Sequence, residues 1–102
     1  MAFSYRLNPQ AHEEYIKAYE WYEEKQHDLG NRFMHSVEKR LQQISEHPEY
    51  FSRRKHNRFR EAKVEHFPYL IVYEFFRQKR IIHIAAIYHS SRRPGRKYRR
   101  MK

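Results

Sequence analysis

Hydrophobic positions are densest from Phe67 to His89, FPYLIVYEFFRQKRIIHIAAIYH, where the one polar run is Arg77, Gln78, Lys79, Arg80. β-Branched and aromatic residues fill Tyr69 to Phe76 and Ile81 to Tyr88, which predicts two antiparallel strands joined tightly across that run. The first strand sets Leu70, Val72 and Glu74 on one face and Tyr69, Ile71, Tyr73 and Phe75 on the other. The second sets Ile82, Ile84 and Ala86 against Ile81, His83, Ala85 and Ile87. Neither alternates cleanly between apolar and polar, so both faces are expected to be at least partly covered, as in central strands. Pro68 cannot donate to a ladder and suits the very start of the first strand.

The pattern changes period toward the N-terminus. Phe3, Tyr5 and Leu7 alternate, predicting a short strand at the sheet edge. Asn8 followed by Pro9 is a helix start, with Asn8 able to cap and Pro9 preset for the first helical position. Ala11, Tyr15, Ala18, Tyr19 and Tyr22 then form one helical stripe, and Glu13, Glu14, Lys17, Glu20 and Glu24 the charged side; Trp21 falls at the border. A break at Gln26 to Gly30 offers Asp28 as the cap of a second helix. Its apolar residues Phe33, Val37, Leu41 and Ile44 recur until His47 and Pro48 end it. Two such helices joined so briefly make an antiparallel hairpin whose stripes must be buried on the sheet. Phe59, Ala62 and Val64 suggest a further strand leading into the β-hairpin. The predicted class is α+β: a helical hairpin packed on a small, mainly antiparallel sheet of three to four strands, in one domain over 1–102 with a basic tail over 90–102.

Charge sharpens this picture. Met1 to Phe51 carries six basic against nine acidic residues, net −3, whereas Ser52 to Lys102 carries sixteen against three, net +13. The basic half holds the sheet, and arginine, the better fork for phosphate or carboxylate, outnumbers lysine in it. An acidic or polyanionic partner is implied. Most of the excess lies in SRRKHNRFREAK, with Arg53, Arg54, Lys55, Arg58, Arg60 and Lys63, and in the acid-free tail with Arg92, Arg93, Arg96, Lys97, Arg99, Arg100 and Lys102. No cysteine is present, which excludes disulfides and a thiol nucleophile. Membrane-spanning and signal-peptide runs are lacking, so a soluble, cytoplasmic protein is expected. Eight histidines stand without an HExxH spacing, and no phosphate-binding glycine loop or nucleophile elbow occurs. No metal and no cofactor is therefore expected.

What remains as candidate chemistry is a distributed set: Arg60 before the β-hairpin, Tyr69 and Tyr73 on its first strand, His89 at its end, then Arg92 and Tyr98. Strand adjacency would gather these on the sheet face away from the helices, where arginine holds phosphate, histidine moves a proton and tyrosine stacks or donates. The same tyrosines serve equally well as core aromatics, and His89 as a strand-end cap.

Gly30 to Phe33 (GNRF), Arg60, FPY with Ile71 and Tyr73, IHIAAIYH (Ile82 to His89), Arg92 and Pro94 together resemble the RelE/ParE superfamily of type II toxins, from about Leu7 to Tyr98. The resemblance implies a growth-inhibiting toxin silenced by an acidic antitoxin that covers its basic face. RelE-like members cut mRNA on the ribosome; ParE-like members poison DNA gyrase. On the first alternative Arg60 would stabilise the phosphate, His89 would transfer a proton, Tyr73 would assist, and Arg53, Arg54, Lys55 and Arg58 would bind RNA. The FPY…IxY hairpin and the HxxRxP ending resemble the ParE subgroup, in which the C-terminal segment, here with Arg92, Arg93, Tyr98 and Arg99, contributes to target binding. Tyr98 stands where that ending usually has Trp. A third alternative is an inactive module that only binds its antitoxin.

Overall fold

A computed structural model describes residues 2–53 and 58–91. The chain runs β1 (Ser4–Leu7), α1 (Pro9–Lys25), α2 (Leu29–Glu46), β2 (Arg60–Lys63), β3 (Tyr69–Phe76) and β4 (Ile81–His89). One four-stranded sheet has the order β1-β4-β3-β2, with β1 parallel to β4 and the other pairs antiparallel. This is the expected α+β arrangement, with β1 on an edge. Among the described residues no helix is long and apolar enough to cross a membrane.

Both helix starts rest on side-chain caps, but only the first is the one read from sequence. Asn8 Oδ1 accepts the Ala11 N–H at 2.7 Å, and Pro9 opens α1. Asp28, expected to cap α2, instead takes a left-handed φ of 71° and accepts from the Asn31 side chain at 2.9 Å. The capping falls to Glu23 of the preceding helix, whose Oε1 accepts from Gly30 N and whose Oε2 accepts from Asp28 N, at 2.9 and 3.0 Å. A neighbouring helix end supplies a longer-reaching carboxylate than Asp28 can, which periodicity does not reveal. The helices also touch here. A Cβ on Gly30 would stand 2.8 Å from the Tyr19 carbonyl oxygen and 2.9 Å from Glu23 Oε1, so only glycine permits the approach.

The α2 stripe of Phe33, Val37, Leu41 and Ile44 is fully buried against Ala62, Val64, Ile71, Tyr73, Ile82, Ile84 and Ile87. At roughly 1.5–3 kcal/mol for each large apolar side chain removed from water, this layer is the main favourable contribution to folding. Tyr22, Phe33, Phe67 and Tyr69 close its end as a ring cluster, with centroids 5.0–5.3 Å apart around Phe33.

A β-bulge alters the expected face assignment of β4. Val72 pairs with Ala86 but Tyr73 pairs with Ile84, which leaves Ala85 as an extra residue. Ile82 and Ile84 before the bulge and Ile87 after it consequently share the helix side, whereas plain alternation had put Ile87 on the opposite face. Ala85, Ala86 and Tyr88 join Phe59, Val72 and Leu70 in a second apolar cluster on the reverse face. The polar run closes as expected, with Arg80 N–H donating to the Arg77 carbonyl at 3.1 Å.

Candidate functional site

Of the cluster predicted on the sheet's reverse face, the described members Arg60, Tyr69, Tyr73 and His89 do not assemble there, and Arg92 and Tyr98 lie outside the described residues. Tyr69 and Tyr73 belong to the helix-side core, because alternation separates two faces without saying which one the helices cover. Tyr73 is wholly buried and its hydroxyl donates to the Pro48 carbonyl at 2.6 Å. Burial raises its pKa well above the ordinary phenol value, with Arg60 pulling weakly the other way. His89 packs edge-on against Tyr69, with centroids 5.4 Å apart. Its Nδ1 accepts the Ser91 N–H at 3.1 Å, which places the proton of the neutral ring on Nε2, and Ser91 Oγ lies 2.8 Å from the same nitrogen.

Arg60 is the cross-strand partner of Tyr73, so both point toward the segment leaving α2. Its Nη1 donates to the carbonyls of Phe51 and Glu49 at 2.8 and 3.2 Å. Together with Tyr73 on Pro48, these bonds fasten the backbone between Pro48 and Phe51. Beside this clamp opens a cleft of about 210 Å³ lined by Glu49, Arg53, Arg58, Arg60, Phe75 and Arg77. Arg77 forms an ion pair with Glu49, and Arg58 Nε pairs with Glu74 at 3.0 Å. The cationic concentration expected on the reverse of the sheet is thus found at the corner where α2 gives way to β2, while the described part of the reverse face carries the second apolar cluster.

Arg60 and His89 lie apart. Their β3 partners are Tyr73 and Tyr69, four residues along one strand, which separates the two Cα atoms by roughly 15 Å. His89 lines a different groove of about 660 Å³ between α1 and β4, with Glu13, Glu14, Lys17, Trp21 and Pro68 among its walls. There β1 pairs only as far as Ile84, and the Ile87 N–H donates to Glu14 Oε1 at 3.0 Å. Of the predicted binding residues, Arg53 and Arg58 meet Arg60 in the arginine cleft; Arg54, Lys55, Arg92, Arg93, Tyr98 and Arg99 lie outside the described residues. Sequence reasoning missed Glu49, Arg77 and the neighbouring Tyr50, which is 81% exposed. In the sequence Arg77 is only part of a turn; that the β3–β4 turn folds back beside the end of α2 has no local signal.

Among solved structures, a free-state Escherichia coli RelE toxin carrying two arginine-to-alanine substitutions is similar to this chain, with a TM-score of 0.71 over 97% of this chain and 93% of that one. At 19% identity the likeness speaks for the fold alone. No curated protein matches in sequence. A family model described as the ParE toxin of type II toxin–antitoxin systems, parDE, matches residues 5–94. The chain belongs to the ParE toxin family of type II toxin–antitoxin systems.

Proposed function

We propose that this ParE-family toxin arrests growth by poisoning DNA gyrase and is silenced by an acidic antitoxin of the ParD kind. Family membership supports the first half of the reading, and the sixteen-to-three basic excess of the second half of the chain supports the acidity of the partner. The observation that carries gyrase over the mRNA endonuclease is the placement of Tyr73 and His89. Tyr73 is buried on Pro48, and His89 lies in another groove from Arg60. A ribonuclease of the expected kind needs a proton-transfer group beside its phosphate-holding arginine. Among the described residues lining the arginine cleft there is neither histidine nor tyrosine.

The deciding experiment adds full-length toxin to purified gyrase with relaxed plasmid, and in parallel maps transcript ends by primer extension after induction in cells. Loss of supercoiling with trapped double-strand breaks, and transcripts left intact, is the expected result. Codon-periodic cuts in translated messages with gyrase unaffected would instead establish the endonuclease.

A further inference from the structure

We infer that the cavity where the first turns of α2 face the β2–β3 turn binds a free α-amino acid with an apolar side chain, its carboxylate held by Arg32, His35 and His66 and its ammonium by Asp28. The site shares no lining residue with the arginine cleft, and the inference does not depend on the gyrase reading.

The cavity measures about 490 Å³, within the range of sites that enclose a small molecule. One wall is apolar. It is made by Leu29 of α2 and by Phe67 of the turn, whose ring stands edge-on to Tyr22 and Phe33 with centroids 5.0 and 5.3 Å away. The remaining lining carries charge of both signs. Arg32 and His35 are three residues apart on one face of α2, and His66 comes from the turn opposite. Asp28 lies four residues before Arg32, the spacing at which an aspartate and an arginine commonly pair, yet among the described residues no ion pair joins them. Both are left to a ligand that brings the opposite charges.

The charged groups are positioned before any ligand arrives. The Tyr19 hydroxyl donates to Asn31 Oδ1 at 3.3 Å, and Asn31 Nδ2 donates to Asp28 Oδ1 at 2.9 Å, a relay that orients the carboxylate and leaves its second oxygen as an acceptor. On the other side α2 pins the turn at two points: Lys39 Nζ donates to Glu65 Oε1 at 3.3 Å, and Arg40 Nε donates to the Lys63 carbonyl at 2.6 Å. His66 follows in a left-handed backbone with φ of 70°, which histidine adopts more readily than most residues. Asp28 is not needed as a cap, because Glu23 already accepts from Gly30 and from Asp28 itself. A simple anion would leave the Asp28 carboxylate unpaired in the cavity, and a simple amine would leave Arg32 unpaired; a zwitterion satisfies both. Its side chain then lies on Leu29 and Phe67, where removal from water adds to affinity.

The test is titration calorimetry of the full chain with L-phenylalanine, L-leucine, glycine, hydrocinnamate and phenethylamine. Hydrocinnamate keeps the ring and the carboxylate, phenethylamine the ring and the amine, and glycine both charges without an apolar group. Either or both of the two apolar amino acids are expected to bind, and the other three about tenfold or more weakly, each lacking one of the three contacts. Arg32→Gln should weaken the amino acid by about tenfold and leave phenethylamine within about twofold, while Asp28→Asn should weaken the amino acid by the same factor and leave hydrocinnamate no weaker. At a free concentration about ten times Kd the amino acid should raise the wild-type Tm by about 5–10 °C, and melts without ligand will show that the variants fold. Absence of binding by both apolar amino acids at about 10 mM would overturn the inference. So would hydrocinnamate or phenethylamine binding as tightly as the amino acid, or Asp28→Asn indistinguishable from wild type. None of these failures bears on the gyrase assay, which reads an independent activity.

Discussion

Tyr73→Phe removes a single buried oxygen and tests whether this tyrosine is structural. The ring remains, so packing against Ile71 and Ile84 is kept, but the buried Pro48 carbonyl loses the donor that now sits at 2.6 Å. A net hydrogen bond is worth about 1 kcal/mol and an unsatisfied buried acceptor costs about 1–3, so a destabilisation of roughly 1–3 kcal/mol is expected. For a domain of this size that lowers Tm by roughly 5–15 °C. The alkaline limb supplies a second, independent sign. Burial raises the folded-state pKa of Tyr73, so the unfolded chain gives up this proton first. The contribution is complete below about pH 10 and is lost as pH rises toward the folded value, at about 1.4 kcal/mol per pH unit. Phenylalanine has no such proton. Melts followed by circular dichroism at pH 7 and between pH 10 and 11.5 should show Tyr73→Phe less stable at neutrality but less steeply weakened by alkali. Equal Tm at pH 7, or parallel alkaline slopes, would refute the buried hydrogen bond. Growth arrest should survive the substitution at 25 °C, since the hydroxyl is buried and committed to the Pro48 carbonyl.

Other substitutions probe the remaining joints of the fold. Gly30→Ala must push the helices apart against backbone at 2.8 Å and should cost about 1–3 kcal/mol by thermal melt, whereas an exposed helical Gly→Ala would stabilise by up to about 1 kcal/mol. Glu23→Ala strips the donors Gly30 and Asp28 of their cap and should cost about 1 kcal/mol, whereas Asp28→Ala should cost less. Asn8→Ala should cost about 1 kcal/mol through the first turn of α1, measured by urea denaturation. Lys39 holds the Glu65 carboxyl below its usual pKa, first through a hydrogen bond and then through its charge, so that link is present above about pH 4.5 and fades below it. Both groups are exposed, and Lys39→Ala should leave the neutral-pH melt unchanged within error.

The periodicities exposed the layers well and the interior choices poorly. The change from period two at Phe3 to Leu7 to a helical stripe from Ala11 was visible, as was the Asn8–Pro9 start, because capping and φ are decided within a few residues. The Ala85 bulge was not. Two adjacent alanines fit either face, and only the pairing of Tyr73 with Ile84 shows where the register slips. Glu23 as cap for the next helix escaped for the same reason, since its role depends on how the two helices cross. At the candidate site, arginines near Arg53 and Arg60 could be counted along the chain. That Arg60 serves carbonyls at Glu49 and Phe51 as well as lining the cleft, and that Arg77 arrives from a distant turn, depends on tertiary geometry that composition does not carry.

The parallel pairing of β1 with β4 bears on the order of events during synthesis. The first strand to be made finds its neighbour only in the last, so Tyr5 and Leu7 wait for Ile82 and Ile84 while everything between them is translated. The helical hairpin can collapse early through local contacts, yet the sheet it needs is completed only once β4 has been made. Between the synthesis of β1 and that of β4 the strands stand unpaired at this seam, an interval in which an antitoxin already present can meet the emerging sheet before it closes.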